Sequence, residues 1–252
     1  MFICASLTDA IDRRASFSRH FPSKSQFEFV DSIDGRNWSS HYADTYCTSS
    51  FVELRARQSK QNKTWANPAA VACAMTHRDK LLKEAVHRDA ILCEDDALID
   101  QKMIQLWQQQ NIRDIFRNIG DVTLLFYLSR STIRVSKIPL ARVGPYCIYR
   151  VTDGEVGSAV SYYASSVAAD RIRSLQTPIS ATADQWQAFK ARGAISNINI
   201  VFPSPVRLAA FESHIGYGGR LKGNSITVRA LRVANRSLRR WRGKFGADVQ
   251  FE

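Results

Sequence analysis

Seven consecutive residues, Ala90-Ile-Leu-Cys-Glu-Asp-Asp96, constrain this chain more than any other stretch. Four apolar residues bounded by charge have the length of a buried strand, although so short a run does not by itself exclude a helix. In a strand, side chains alternate, so Glu94 and Asp96 share one face and Asp95 takes the other. Ligands of open α/β sheets gather beyond the carboxyl ends of the strands, which is where these acids then lie. Two carboxylates roughly 5 Å apart repel by about 3 kcal/mol at an effective dielectric of about 20. A fold relieves that repulsion by protonation, by a basic partner or by a cation. An oxygen-rich site with few protein ligands suits Mg²⁺ or Mn²⁺ shared with a phosphate group. A solvated acidic loop after a strand is the other reading of the same three letters.

The residues ahead of this stretch set its surroundings. Phe2–Leu7 reads as a strand, Thr8 or Asp9 caps a helix running to about Arg19, and Phe27–Val30 alternates as a second strand. Strand, helix and strand at this spacing predict a βαβ opening and a parallel sheet. Asp31-Ser-Ile-Asp-Gly35 is a turn, and residues 36–66 read as a polar surface excursion with a short helix near 51–58. Asn67-Pro68 starts the clearest helix, with Asn as N-cap and Pro in the first turn; Val71, Met75, Leu82 and Val86 make its apolar stripe. Downstream, an amphipathic segment at 101–117 precedes strands at 122–128, 146–149, 158–162 and 198–202. Helices are expected at 164–175 and 184–189.

Charge is distributed unevenly. The 252 residues carry a net charge of +12, which calls for an anionic partner: nucleic acid, a membrane surface or a phosphorylated substrate. Arg220, Lys222, Arg229, Arg232, Arg236, Arg239, Arg240, Arg242 and Lys244 stand against only Asp248 and Glu252 in the last segment. Between them lie Ile226, Val228, Leu231, Val233, Leu238, Trp241 and Phe245, a composition that fits an interfacial helix on anionic lipid, a helix packed on the domain, or a solvated tail. Asp9, Asp12, Arg13 and Arg14 interrupt what a signal peptide needs, and no apolar run reaches the ~20 residues of a membrane span. The five cysteines form no C-x-x-C pair, and three of them sit in apolar runs as small buried hydrophobes, which suggests a reducing compartment. The expected location is therefore cytoplasmic. No zinc-finger spacing or RNP-like motif supports a non-enzymatic nucleic-acid-binding protein, the competing class.

A series of short motifs in consistent order resembles glycosyltransferase family 25, the lipopolysaccharide and lipooligosaccharide galactosyltransferases. They are Ala10-Ile-Asp-Arg13-Arg14, Ser32-Ile-Asp-Gly35, Cys73-Ala-Met-Thr76-His77 and Glu94-Asp95-Asp96. Gly157–Tyr162, the helix 164–175, the lone Asp184, Pro203-Ser-Pro205-Val206 and Glu212-Ser-His-Ile-Gly216 follow. Thr76 stands where Ser is usual, Asn67-Pro68 where Gly-Glu is common, and Cys93 precedes the acids. The resemblance implies a GT-A-like fold: a single Rossmann-type nucleotide-sugar-binding α/β domain with a mainly parallel sheet, spanning 1–218. Residues 219–252 would then form a basic C-terminal helical extension. It also implies a divalent metal, Mn²⁺ or Mg²⁺, and transfer of galactose from UDP-galactose with inversion onto a lipid-linked oligosaccharide acceptor at the inner face of the cytoplasmic membrane. UDP-glucose is the alternative donor.

On that resemblance, Asp96 is the expected direct metal ligand, with Glu94 and His214 as further candidates. Glu94, Asp95, Arg13, Ser6, Leu7 and His77 are expected on the donor side. His77 also reads as a hydrogen-bonded core histidine, and His214 as a surface one. Inversion requires a general base for the acceptor hydroxyl; Asp184 is the first choice and Glu212 the second. Asp184 also reads as the N-cap of the 184–189 helix. Trp186 beside it reads as a core aromatic or as a stacking platform for an acceptor sugar.

Overall fold

The computed structural model describes residues 1–60, 66–129, 132–211 and 249–251. The chain opens with strand β1 (Phe2–Ser6), helix α1 (Ile11–Ser18) and strand β2 (Phe27–Asp31). Helices α2 (Ser40–Asp44) and α3 (Ser49–Lys60) follow, then α4 (Pro68–Thr76) and α5 (Leu82–His87). The acid stretch lies between β3 (Ile91–Glu94) and β4 (Ala97–Ile99). After α6 (Gln101–Trp107) and α7 (Gln110–Ile119) come β5 (Val122–Leu124), β6 (Ile133–Val135), β7 (Ala141–Val143), β8 (Tyr146–Asp153) and β9 (Ser161–Ala164). Helices α8 (Ser166–Leu175) and α9 (Trp186–Ala191) precede β10 (Ile198–Phe202), β11 (Val206–Leu208) and β12 (Val249–Phe251).

Among the described residues, ten strands form one sheet in the order β12-β6-β8-β10-β5-β9-β3-β1-β2, with β7 on β8. The expected βαβ opening is present: β1 pairs in parallel with β2 on one side and β3 on the other. Eight strands run in the direction of β1; β8 and β9 run against them, so the sheet is largely parallel with two reversals. Because the chain leaves β1 first towards β2 and then returns to β3, the carboxyl ends of β1 and β3 are a topological switch point. Ser6 and Glu94-Asp95-Asp96 end those two strands.

Apolar residues cover both faces of the sheet. Ile3, Leu92, Leu124, Tyr162, Ile198 and Ile200 face α5, α8 and α9, while Phe2, Cys4, Cys93, Tyr163 and Val201 face α1, α6 and α7. The amphipathic segment at 101–117 is two helices rather than one, broken where Gln109 turns out of helical backbone. Residues 36–66 depart from the expected surface excursion. Ala43 and Phe51 are buried there, and with Val71, Ala74, Met75 and Ile179 they make a third apolar cluster under α4. The hydrophobic residues of α2 and α3 are spaced too sparsely in a polar sequence for that burial to show in periodicity.

The last described strand, β12, pairs in parallel with β6, and Phe251 meets Tyr149 and Phe202. Residues 212–248, which include the expected domain boundary at 218 and nearly all of the basic extension, lie outside the described residues, as do Glu212 and His214. No helix among the described residues is long and apolar enough to cross a membrane.

Candidate active site

Three short-range decisions of the sequence build the site. Asn67 caps α4, its side chain accepting from Ala70 N at 2.9 Å, with Pro68 in the first turn. The helical run continues from α4 through a wide π turn at His77–Leu81 into α5. Such turns insert a residue into the helical register and recur at functional sites. Here the turn divides the apolar stripe, so that Val71 and Met75 serve the third cluster while Leu81, Leu82 and Ala85 serve the main core. His77 begins the turn.

The second decision is the turn at Ser32-Ile-Asp-Gly35. Gly35 is buried against α4; a Cβ there would stand 2.5 Å from Ala72 Cβ and 3.0 Å from both Ala69 Cα and Pro68 O. Thr76 accepts from Ile33 N at 2.9 Å and donates to Ala72 O at 2.9 Å, tying the same turn to the helix. A threonine therefore supplies the hydroxyl expected of serine at this position. The third decision is the tight turn after β3, held by Glu94 N donating to Val160 O and Ala209 N donating to Asp96 O, both at 2.8 Å.

These parts line an open cleft with Leu7, Arg13, Asp34, Gly35, Arg36, Cys73, His77 and the three acids, among others. Arg36 lies at its exposed edge, hydrogen-bonded to Asp34 and Asp9; sequence reading passed over it because an isolated arginine after a turn carries no pattern.

The three acids have different surroundings. Asp95 is buried, and both of its oxygens are engaged: Oδ2 accepts from Ser6 Oγ at 2.6 Å and Oδ1 from Arg13 Nε at 2.6 Å. Arg13 Nη2 reaches Asp95 Oδ1 at 2.5 Å and Asp96 Oδ2 at 3.3 Å, while its guanidinium stacks on Phe211. Ser6 is buried beneath Asp95 and holds the cluster from behind, whereas Arg13, which bridges two acids, and Leu7 line the cleft itself. Arg14 is structural: it donates to Ser6 O, Leu7 O and Asp31.

Glu94 accepts or shares a proton with His77 Nε2 at 3.2 Å, and Cys73 Sγ is 3.9 Å from the same oxygen. His77 Nδ1 meets Tyr162 Oη at 2.9 Å, and the two rings stack. His77 is therefore a buried, hydrogen-bonded histidine whose one ring nitrogen faces the cleft. Burial pushes the Cys73 thiol far up, and the charges of Glu94, Asp184 and Asp96 push it further.

Asp96 is the acid left incomplete. Its Oδ1 is enclosed yet has no hydrogen-bond partner. Desolvation, then the Glu94 charge, raise its pKa to about 7, against the opposing pull of Arg13. An enclosed carboxylate oxygen with no donor, in a cluster carrying three acids and one arginine, fits a divalent cation.

Asp184 is exposed and close enough to Cys73 to act on its thiol. Thr182 Oγ1 donates to its Oδ1 at 2.8 Å. It does not cap the following helix: Gln185 occupies the N-cap position, and no side chain caps it. Trp186 is not a platform for sugar. It is 1% exposed, packs on Tyr162 and donates its indole N–H to Ser158 O at 2.8 Å, because α9 turns it into the core. Ser158 itself holds a φ of +89°, a backbone conformation that costs a serine energy, beside the strand that contacts Glu94.

Residues 1–185 match the model of a family described as glycosyltransferase family 25 (LPS biosynthesis protein). No curated protein matches the chain.

Proposed function

The chain belongs to glycosyltransferase family 25, and from that premise we propose that it moves galactose from UDP-galactose onto a saccharide acceptor of lipopolysaccharide or lipooligosaccharide, with inversion and with a divalent metal. The family supports a glycosyltransferase of LPS biosynthesis, and hence a nucleotide-sugar donor and a saccharide acceptor. The finer reading rests on one observation: the enclosed, unpartnered Oδ1 of Asp96 on the wall of the cleft at the switch point of the sheet. That arrangement is the one a GT-A-like nucleotide-sugar site calls for.

In this reading Asp96 would hold Mn²⁺ or Mg²⁺, and Glu94 would assist at the metal or take the ribose. His214 and Glu212 remain candidates beyond the described residues. A bound divalent ion supplies charge neutralisation for the departing diphosphate. Arg13, itself held by Asp95, keeps the Asp96 carboxylate in place, and Arg36 offers a guanidinium to the diphosphate. Asp184, oriented by Thr182, takes the proton of the acceptor hydroxyl. The acceptor oxygen then bonds to the anomeric carbon as the bond to the UDP oxygen breaks. The basic extension 219–252 docks the enzyme on anionic lipid, where a lipid-linked acceptor is presented.

Purified protein supplied with UDP-sugars, with and without Mn²⁺, and with lactose- or glucose-type acceptors or deacylated lipooligosaccharide, tests this. UDP release from UDP-galactose that needs both Mn²⁺ and an acceptor is the expected result. Preferred turnover of UDP-glucose, or turnover indifferent to chelation, overturns the donor or the metal respectively.

A further inference from the structure

The cleft holds a second group of donor atoms whose chemistry differs from that of Asp96. Cys73 and His77 are four residues apart on one helical run and so share a face. Glu94 meets them from the end of β3. Cys73 Sγ, a ring nitrogen of His77 and a Glu94 oxygen lie within 4.8 Å of one another, with 3.2 Å between His77 Nε2 and Glu94 Oε1 and 3.9 Å between Cys73 Sγ and that oxygen. A tetrahedral Zn²⁺ with ordinary bond lengths sets such donors roughly 3.3–3.6 Å apart. The His77–Glu94 pair is already at about that spacing, and Cys73 Sγ must approach Glu94 by a few tenths of an ångström from 3.9 Å.

The surroundings of His77 are those of a metal-binding imidazole. Its Nδ1 is tied to Tyr162 Oη at 2.9 Å, and ring stacking on Tyr162 fixes its plane. A metal-ligating histidine ordinarily has its second nitrogen held in this way. Tyr162 is a donor and an acceptor in one atom. With no ion, the tyrosine O–H donates to Nδ1, and Nε2–H donates to Glu94. With an ion, the proton sits on Nδ1 and donates to Tyr162, which frees the Nε2 lone pair; the Cys73 thiol proton leaves to solvent. The Tyr162 O–H, which loses Nδ1 as its acceptor, must then turn to another partner, a cost set against ion binding.

We infer that Cys73, His77 and Glu94 form a site for one thiophilic divalent cation, of the Zn²⁺ class, distinct from the Asp96 carboxylate. A thiolate and an imidazole favour such ions, whereas Mg²⁺ and Mn²⁺ favour oxygen. Three protein ligands leave the fourth position of the ion open to the cleft, since all three residues line it. Glu94 is common to both sites, so a zinc-class ion here competes for a carboxylate that the transferase reading also uses. The inference does not depend on that reading, because occupancy is read without turnover.

Titration of the full-length protein with Co²⁺ tests it. The expected result is a thiolate-to-cobalt charge-transfer band that saturates at one equivalent and is displaced by Zn²⁺. Cys73→Ser should abolish the band, Tyr162→Phe should weaken Zn²⁺ binding about 10-fold or more, and Asp96→Asn should leave the band in place. If Cys73→Ser fails to fold, loss of the band in folded His77→Asn carries the same test. A missing band in wild-type protein, or a band that survives both Cys73→Ser and His77→Asn, overturns the site. So does equal loss in Asp96→Asn, which would merge the two sites into one.

Discussion

Arg13 and Asp95, 82 residues apart in sequence, form an ion pair in which Nε and Nη2 of the arginine both meet Oδ1, at 2.6 and 2.5 Å. Each side chain is about a tenth exposed, at 11% and 9%. The pair fastens the first turn of α1 to the end of β3, and Ser6 completes the coordination of the carboxylate from β1. The apparent acid cluster is thus one neutralised acid, Asp95, beside two that face the cleft.

Removing the arginine leaves a buried carboxylate with one partner. Breaking a buried pair from one side typically costs about 3–5 kcal/mol. Arg13→Ala should lose stability on that scale in urea unfolding and should lose turnover as well, because Arg13 Nη2 no longer holds Asp96 Oδ2. Arg13→Lys should fall between, since an ammonium does not reproduce the two-pronged contact. A loss under about 1 kcal/mol for Arg13→Ala would show that water reaches the pair freely.

Asp96 sets function against stability. Its pKa is about 7 in the folded protein, against about 3.9 when unfolded. A carboxyl whose pKa is raised by folding destabilises the fold once it ionises. The penalty starts as pH rises past the unfolded value and is complete above about 7. Asp96→Asn should therefore raise the melting temperature of chelated protein at pH 8, with a smaller gain at pH 5. The same substitution should abolish metal-dependent turnover. Melting curves at the two pH values decide it; an equal or negative shift at pH 8 would mean Arg13 already compensates the charge.

Gly35 is the point of closest approach between the β2 turn and α4. A methyl group there meets Ala72 Cβ at 2.5 Å and backbone atoms of Ala69 and Pro68 at 3.0 Å, and backbone cannot swing aside. Gly35→Ala should cost roughly 1–3 kcal/mol, as overpacking does. It should also raise the KM for the donor by displacing Arg36. Pairing it with Ala72→Gly relieves the closest contact only, so the double variant should recover part of the loss. Full recovery would indicate that the backbone contacts are soft.

Local signals made much of this legible. A short apolar run exposed β1, alternation exposed β2, the Asn67-Pro68 pair exposed the start of α4, and an apolar run ending in acids exposed β3 with its carboxyl end in the right place. What stayed hidden depends on pairing at a distance. β4 and β11 are three residues each and find one another across 107 positions of register, Ile99 with Val206. The reversal of β9 leaves no mark, because a strand buried on both faces reads alike in either direction. The π turn at His77 stayed hidden because Val71, Met75, Leu82 and Val86 read as one stripe, although the turn divides them between two clusters. Nor does the sequence say which acid of three is neutralised, since that depends on where Arg13 reaches.

Asp184 carries the last prediction. It is exposed, held by the Thr182 hydroxyl at 2.8 Å, and does not cap α9. Its loss should therefore leave the fold intact, unlike the loss of Arg13. If it is the base, Asp184→Asn should lower kcat by about 10²–10⁴-fold, the usual range for a positioned proton acceptor. UDP affinity in the presence of Mn²⁺ should be unchanged, because in the proposed reading the metal site at Asp96 and the Arg36 guanidinium hold the diphosphate. Thr182→Val should lower kcat by a smaller factor through misorientation of the carboxylate, with KM for the donor unaffected. Isothermal titration with UDP and acceptor-dependent UDP release separate the cases. Retained kcat in Asp184→Asn would move the role to Glu212, and Glu212→Gln would then show the loss. Joint loss of UDP binding and turnover would make Asp184 a structural residue of the loop that carries it.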